Sequence, residues 1–467
     1  MKRVALIESG VSDPGKFVYQ VYPPHGLMYL ASYLRSKKPG VEIKIFDRMM
    51  DRGPEENLVA QLKAFAPDLV GIHAMHFQAK SMHRIAALAK ANSRAPVIVG
   101  GPYPSSEPAR VLADPNIDLA VRGEGELTFA EIFERLESNK DFSGIPGCAY
   151  RKDGQVVLGP ERDLLPDLDS VPFPAWDLID LKKFFDWKVL TQNDIRARKE
   201  LATIFTSRAC PYGCIFCHNM FGKKFRARSP ENVLAEIKIL YEKYGVREIH
   251  FIDDCFNFDL DRAKQILQMI IDSRMDLKLA FPNGIRGDRL DEELVGLFKA
   301  AGAYKINFGI ESGSERIQKM IKKSLDLQKI KTNIELVAGA GIFTHGFFMM
   351  GFPDETEDDL KATIDFAVSS KLHSAGFALL SPFPGTRVRE IAEQMGKKVT
   401  FDPDDTSYAA IACNLTALPD SELARYHRRA HWKFYFRPGQ VLRILWAMPN
   451  KWMLPRIFAA HFRLKFL

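Results

Sequence analysis

ATIFTSRACPYGCIFC, residues 202–217, runs from an apolar strand pattern straight into a loop with three cysteines spaced CxxxCxxC. ATIFTSR has the β-branched and aromatic content of a buried strand, and the loop after it carries Cys210, Cys214 and Cys217. The pattern then repeats. EIHFIDD, LKLAFPNG, KINFGIES, FTHGFFMMG and SAGFALLSP read as strands, separated by helical patterns such as ENVLAEIKILYEKYG and DRAKQILQMIIDS. Six βα units are too few for a closed eight-stranded barrel. Residues 201–395 therefore predict a partial (β/α)6 TIM barrel with its active site at the C-terminal strand ends.

Upstream, residues 1–140 alternate in the same way: RVALIES, GLMYLASYLRS, VEIKIFD, LVGIHAM, PVIVGG and IDLAVRGEGE. This predicts right-handed βαβ units in a Rossmann-like, doubly wound parallel sheet, so the whole chain is α/β. Residues 141–200, rich in Pro, Asp and aromatics, hold no sustained period and read as an ordered linker. Residues 396–467 read as an α-helical extension. A length of 467 residues, 46% hydrophobic and 26% charged, requires more than one core. The apolar run of MKRVALIES ends at Glu8, short of a signal peptide, and no segment approaches the ~20 apolar residues of a membrane span. The expected location is cytoplasmic, with reduced thiols.

Structural zinc needs four ligands, and the only local fourth, His218, adjoins Cys217 and cannot easily turn back onto the same ion. Three thiolates in one loop suit a 4Fe-4S cluster with one iron left open. Cys148, Cys255 and Cys413 are isolated and read as packed thiols. Cys255, next to Asp254 at a strand end, stands closest to the chemistry.

With Phe216 before the last cysteine and six βα units around it, the motif resembles the radical S-adenosylmethionine (SAM) superfamily. The resemblance implies that SAM chelates the open iron and is cleaved reductively to a 5'-deoxyadenosyl radical, with electrons from a donor such as flavodoxin or ferredoxin. It also implies SAM contacts at successive strand ends. These are Asp253 and Asp254 after the second strand, Arg286 past the third for the SAM carboxylate, and Glu311 and Ser312 after the fourth for the ribose. Gly351 and Pro353 of GFPDET back the adenine.

PPHGLMYLASYL, IVGGPYPSSEP and DLAVRGEGELTF resemble the N-terminal cobalamin-binding domain of one large radical SAM subfamily, which includes class B methyltransferases and anaerobic magnesium-protoporphyrin ester cyclases. Here Gly100 and Gly101 let backbone approach a ligand, and Gly123, Glu124 and Gly125 make a turn before a helix. The DxHxxG histidine of cobalamin mutases is absent, and His25, His73, His76 and His83 read as structural or surface residues. The resemblance implies cobalamin-dependent methylation of an unactivated carbon. The alternatives are radical cyclisation, oxygen insertion or carbon-carbon coupling, with or without a corrin, and, in another class, an iron-sulfur binding or sensing protein.

From Leu423 to Leu467 there are ten Lys or Arg and no Asp or Glu, so the net charge of +7 leaves about −3 (7 minus 10) on the rest. Cations interleaved with three of the five tryptophans suit either a membrane-interface element or terminal helices packed on the barrel. Single-stranded nucleic acid could use the same residues, but no recognition module accompanies them. An interfacial tail favours a small hydrophobic substrate, such as a polyprenoid, another lipid or a tetrapyrrole.

Overall fold

The computed structural model describes residues 2–11, 21–138, 140–186, 195–218, 220–400 and 410–451. Its first sheet holds β1 (Arg3–Glu8), β2 (Glu42–Asp47), β3 (Leu69–His73), β4 (Val97–Gly100), β5 (Leu119–Val121), β6 (Cys148–Lys152) and β7 (Gln155–Leu158), in the order β2-β1-β3-β4-β5-β6-β7. The first five are parallel. Helices His25–Lys37 and Glu126–Glu137 cover one face, with Leu27, Phe129 and Phe133 in the same core as Val4 and Leu6. The other face buries Ala5, Ile7, Val70 and Met82 under helices Glu55–Phe65 and Ala79–Asn92. Strand order reverses between β1 and β3, and the crevice above that point is where such sheets receive ligands.

The expected linker is not all linker. Its residues 148–158 form the β6–β7 hairpin, which pairs antiparallel with β5 and extends the first sheet. Asp153 and Gly154 supply the turn with φ of 51° and 78°, the left-handed pair that a two-residue hairpin needs.

The second sheet holds β8 (Leu201–Ile204), β11 (Glu248–Phe251), β12 (Lys278–Ile285), β13 (Ala303–Glu311), β14 (Phe343–Met350) and β15 (Ser374–Leu379), all parallel and in that order, as expected for a six-stranded partial barrel. Between β8 and β11 a short antiparallel ribbon, β9 (Ser207–Arg208) with β10 (Arg226–Ala227), closes the base of the cysteine loop. Barrel helices begin where a side-chain oxygen takes an orphan backbone N–H: Ser229, Asp259, Asp291, Ser314, Asp326, Thr356 and Thr386 each do so. Phe251, Phe256, Phe281 and Phe298 pack ring to ring in the barrel core.

The tail divides in two. Helix Asp420–Tyr435 buries Leu423, Tyr426, Ala430 and Phe434 against the barrel, and the Tyr435 hydroxyl bonds both backbone groups of Ala375 on edge strand β15. That covers an edge otherwise open to pairing. Helix Pro438–Ala447 is different: Leu442 is 58% and Trp446 84% exposed. Tail residues 452–467 lie outside the described residues. No described helix is long and apolar enough to cross a membrane.

Candidate active site

The cysteine loop, 209–225, stands at the carboxyl end of β8, and left-handed Ala209 (φ 71°) starts it. The Ala209 N–H donates to Asp254, whose carboxyl is pushed up to about 6 by burial and by neighbouring Asp253. Cys214 and Cys217 share a hydrogen bond, as do Cys210 and Cys255. Within each pairing the shared proton draws one thiol, Cys210 or Cys214, below its ordinary value. Cys214 and Cys217 thus stand together in the loop and Cys210 stands with Cys255, past the end of β11; among the described residues no three His, Cys, Asp or Glu side chains close on one point. Cys148 and Cys413 are buried elsewhere.

Glu311, at the end of β13, also has left-handed backbone (φ 68°), and the register of β13 on β14 slips beside it. A non-glycine residue held in that conformation stores strain of the kind found at ligand sites. Its carboxylate accepts from Lys323 Nζ at 2.8 Å. Burial would lower the Lys323 ammonium, but Glu311 and the Cys214 and Cys217 sulfurs outweigh it and raise it. A permanent cation therefore stands beside the sulfurs, 5.9 Å from the Phe216 ring centre. Phe216 in turn packs on Phe352. The sequence carried no signal for Lys323, which lies past helix Glu315–Met320.

Other sequence-expected SAM contacts have internal duties. Asp253 is buried and accepts from Thr206 (3.0 Å from N, 2.8 Å from Oγ1) and from Ser207 Oγ, bracing the strand end ahead of the cysteines. Arg286 makes four hydrogen bonds, to both Asp288 oxygens and to the Lys323 and Ser324 carbonyls, and lies 3.9 Å over the Tyr212 ring. Its guanidinium thus braces the cysteine loop. Ser312 turns its hydroxyl into the protein, 3.0 Å from Thr363 Oγ1. Gly351 (φ 109°) and Phe352 donate their N–H groups to Glu355, at 2.6 and 3.2 Å, which fixes the GFPDET loop around buried Pro353. Glu355 was missed from sequence.

A second concavity faces the cysteine loop. A cleft of about 880 Å³, counting its open mouth, lies at the switch point of the first sheet and is lined by Gly26, His73, Gly100, Gly101, Gly123 and Gly125. Its far wall belongs to the barrel, from Phe205, Arg208, Met220 and Phe221. Apolar Leu6, Leu27, Ile98 and Phe129 form its depth. Glu124 belongs to the lining as well. It accepts from Arg226 at 2.7 and 2.9 Å and lies 3.3 Å from Arg208, which also bonds Glu126 at 2.5 Å. All four side chains are buried, and they clamp the β9–β10 ribbon onto the first domain. Of the histidines, His25 bonds Thr203 at 2.6 Å, His83 bonds Asp114 and Tyr103, and His76 bonds Ser106 at 2.9 Å beside the His218 ring.

A thiolate loop at the catalytic edge of an open barrel, facing a glycine-lined switch-point cleft, defines an iron-sulfur enzyme with a second cofactor domain. The Radical SAM superfamily model matches residues 204–367 and the B12 binding domain model residues 16–133. An uncharacterized methyltransferase of Pyrococcus horikoshii is 32% identical over 95% of this chain and 94% of its own length. Cytidylyl-2-hydroxyethylphosphonate methyltransferase of Streptomyces wedmorensis is 31% identical over 82% of this chain and 80% of its own. The fold is shared with the radical SAM methyltransferase TsrM of Kitasatospora setae, solved with cobalamin and a 4Fe-4S cluster (TM-score 0.73, 21% identity, 95% of this chain and 90% of that one). The chain belongs to the radical SAM superfamily, in the branch that carries a B12-binding domain. It is a radical SAM enzyme whose cofactors are a 4Fe-4S cluster, SAM and cobalamin.

The residues present fit those cofactors. Soft sulfurs gathered in one loop with a buried cation beside them suit an anionic iron-sulfur cluster. A deep apolar cleft whose rim lacks Cβ atoms at five positions suits a large, flat macrocycle with a tail.

Proposed function

We propose that this enzyme methylates an unactivated carbon of a small, hydrophobic substrate at the junction of its two domains. The observation that carries this reading is the shared wall: Arg208, Met220 and Phe221, from the chain flanking the cysteines, line the same cleft as Gly100, Gly101 and Gly123. When bound, the cluster supplies the electron that cleaves SAM, and the corrin supplies a methyl group. The chain supplies position. Cys210, Cys214 and Cys217 hold the cluster, and Asp254 keeps their loop in its left-handed start. Glu311, anchored by Lys323, presents its second carboxylate oxygen at the β13 end, where it supports a ribose-binding role. The Gly351–Glu355 turn offers a flat backbone edge beside Phe216 and Phe352, in keeping with an adenine. Exposed Leu442 and Trp446, in a segment without acidic residues, support delivery of a lipid-like substrate from a membrane surface.

The test uses anaerobically prepared protein loaded with cobalamin and SAM carrying a labelled methyl group. Under reduction, label recovered with the protein's corrin, together with 5'-deoxyadenosine, is expected. Stoichiometric corrin that never acquires label, with SAM cleavage intact, would overturn methylation in favour of cyclisation or coupling.

A further inference from the structure

We propose that His73 is the axial nitrogen donor to the cobalt of the bound corrin, oriented by Glu8. The strand ends at the switch point are in register, Glu8 on β1 beside His73 on β3, and His73 beside Gly100 on β4. His73 Nδ1 lies 2.8 Å from Glu8 Oε2, and the other Glu8 oxygen accepts from the Gln78 amide at 2.9 Å. Gln78 is itself locked, since its Oε1 accepts from the Met75 N–H at 2.7 Å. With Nδ1–H committed to a carboxylate, Nε2 carries the lone pair, the arrangement that stands behind most metal-ligating imidazoles.

The Nε2 edge faces the cleft. A Cβ at Gly101 would come within 2.7 Å of it and one at Gly26 within 4.0 Å, so both glycines leave that edge bare. Both line the cleft beside His73, and Nε2 has no hydrogen-bond partner among the described residues. His25 offers no such edge, being boxed by the Trp176 and Phe205 rings with Nε2 on Thr203. The carboxylate-imidazole pair is built at the switch point from two neighbouring strands, which is why no contiguous motif announces it. The inference rests on the cobalamin assignment and adds to it the ligand that the sequence reading left out.

The probe is cob(II)alamin bound to the full-length chain, read by electron paramagnetic resonance with natural-abundance and with ¹⁵N-histidine protein. The expected cobalt lines are split into triplets by one nitrogen, becoming doublets with labelled histidine. His73→Ala should abolish the splitting with corrin retained, and Glu8→Gln should shrink it. Triplets indifferent to histidine labelling, meaning that the cofactor's own base is the donor, would overturn the proposal, as would bound corrin without nitrogen splitting. A wild-type chain that retains no corrin would overturn the cobalamin assignment along with it. The isotope comparison needs no variant, so a misfolded substitution cannot decide it.

Discussion

Lys323 and Glu311 form a pair whose side chains are 14% and 11% exposed, beside Cys214 and Cys217. Removing one partner of such a pair leaves a charge stranded away from water. Lys323→Met should therefore cost roughly 3–5 kcal/mol in urea unfolding of the cofactor-free chain, with much of it recovered in Lys323→Met/Glu311→Gln. Glu355 sets a pH dependence of opposite character. Burial, the largest influence, raises its carboxyl from 4.5 to about 8, and its Oε1 has no partner among the described residues. Its folded pKa exceeds its unfolded one, so the native state holds a proton that the unfolded chain releases above 4.5. Its contribution to stability is complete below about pH 4.5 and is lost as pH climbs through 8. Glu355→Gln keeps an acceptor for the Gly351 and Phe352 N–H groups without an ionising proton. Unfolding free energy measured from pH 5 to 8 should thus fall less steeply in the variant than in the wild type.

Among the elements, the β9–β10 ribbon ties chemistry to architecture, because its two arginines reach Glu124 and Glu126 across more than eighty residues of sequence. Breaking this clamp differs from breaking a surface pair. Glu124→Gln leaves buried Arg208 with Glu126 alone and takes from buried Arg226 the carboxylate it pairs with, and should cost roughly 3–5 kcal/mol. Asp177→Asn, which unpairs Arg35 at side-chain exposures of 35% and 50%, should cost under about 1 kcal/mol. Denaturant midpoints of the two variants check the contrast. The elements themselves were legible in sequence wherever periodicity and caps agreed, as in ENVLAEIKILYEKYG behind Ser229 and Pro230. The β6–β7 hairpin was not, since CAYRK and QVVL are too short to show a period, although Asp153-Gly154 was there to be read. The cysteine loop was legible because its three ligands lie within eight residues. Lys323, Arg226 and the Glu8–His73 pair were not, because each acts on a partner that only the fold brings near.

At the scale of the molecule, one cleft takes its walls from both domains. A ligand that fills it touches Gly101 and Gly123 on one side and Phe205 and Phe221 on the other, so binding energy is available to the docking of the domains as well as to either alone. The buried clamp of Glu124, Glu126, Arg208 and Arg226 already joins them beside the cleft. Anything that binds only the folded, docked chain stabilises it by mass action, by about 2.7 kcal/mol at a hundredfold excess over Kd. Calorimetry of the iron-sulfur-free chain with and without cobalamin should show one cooperative transition that moves upward as a whole. Two transitions, of which cobalamin moves only the first domain's, would mean that the barrel wall is a bystander to the corrin. In Glu124→Gln the single transition should split, because the clamp that couples the sheets has lost its central carboxylate.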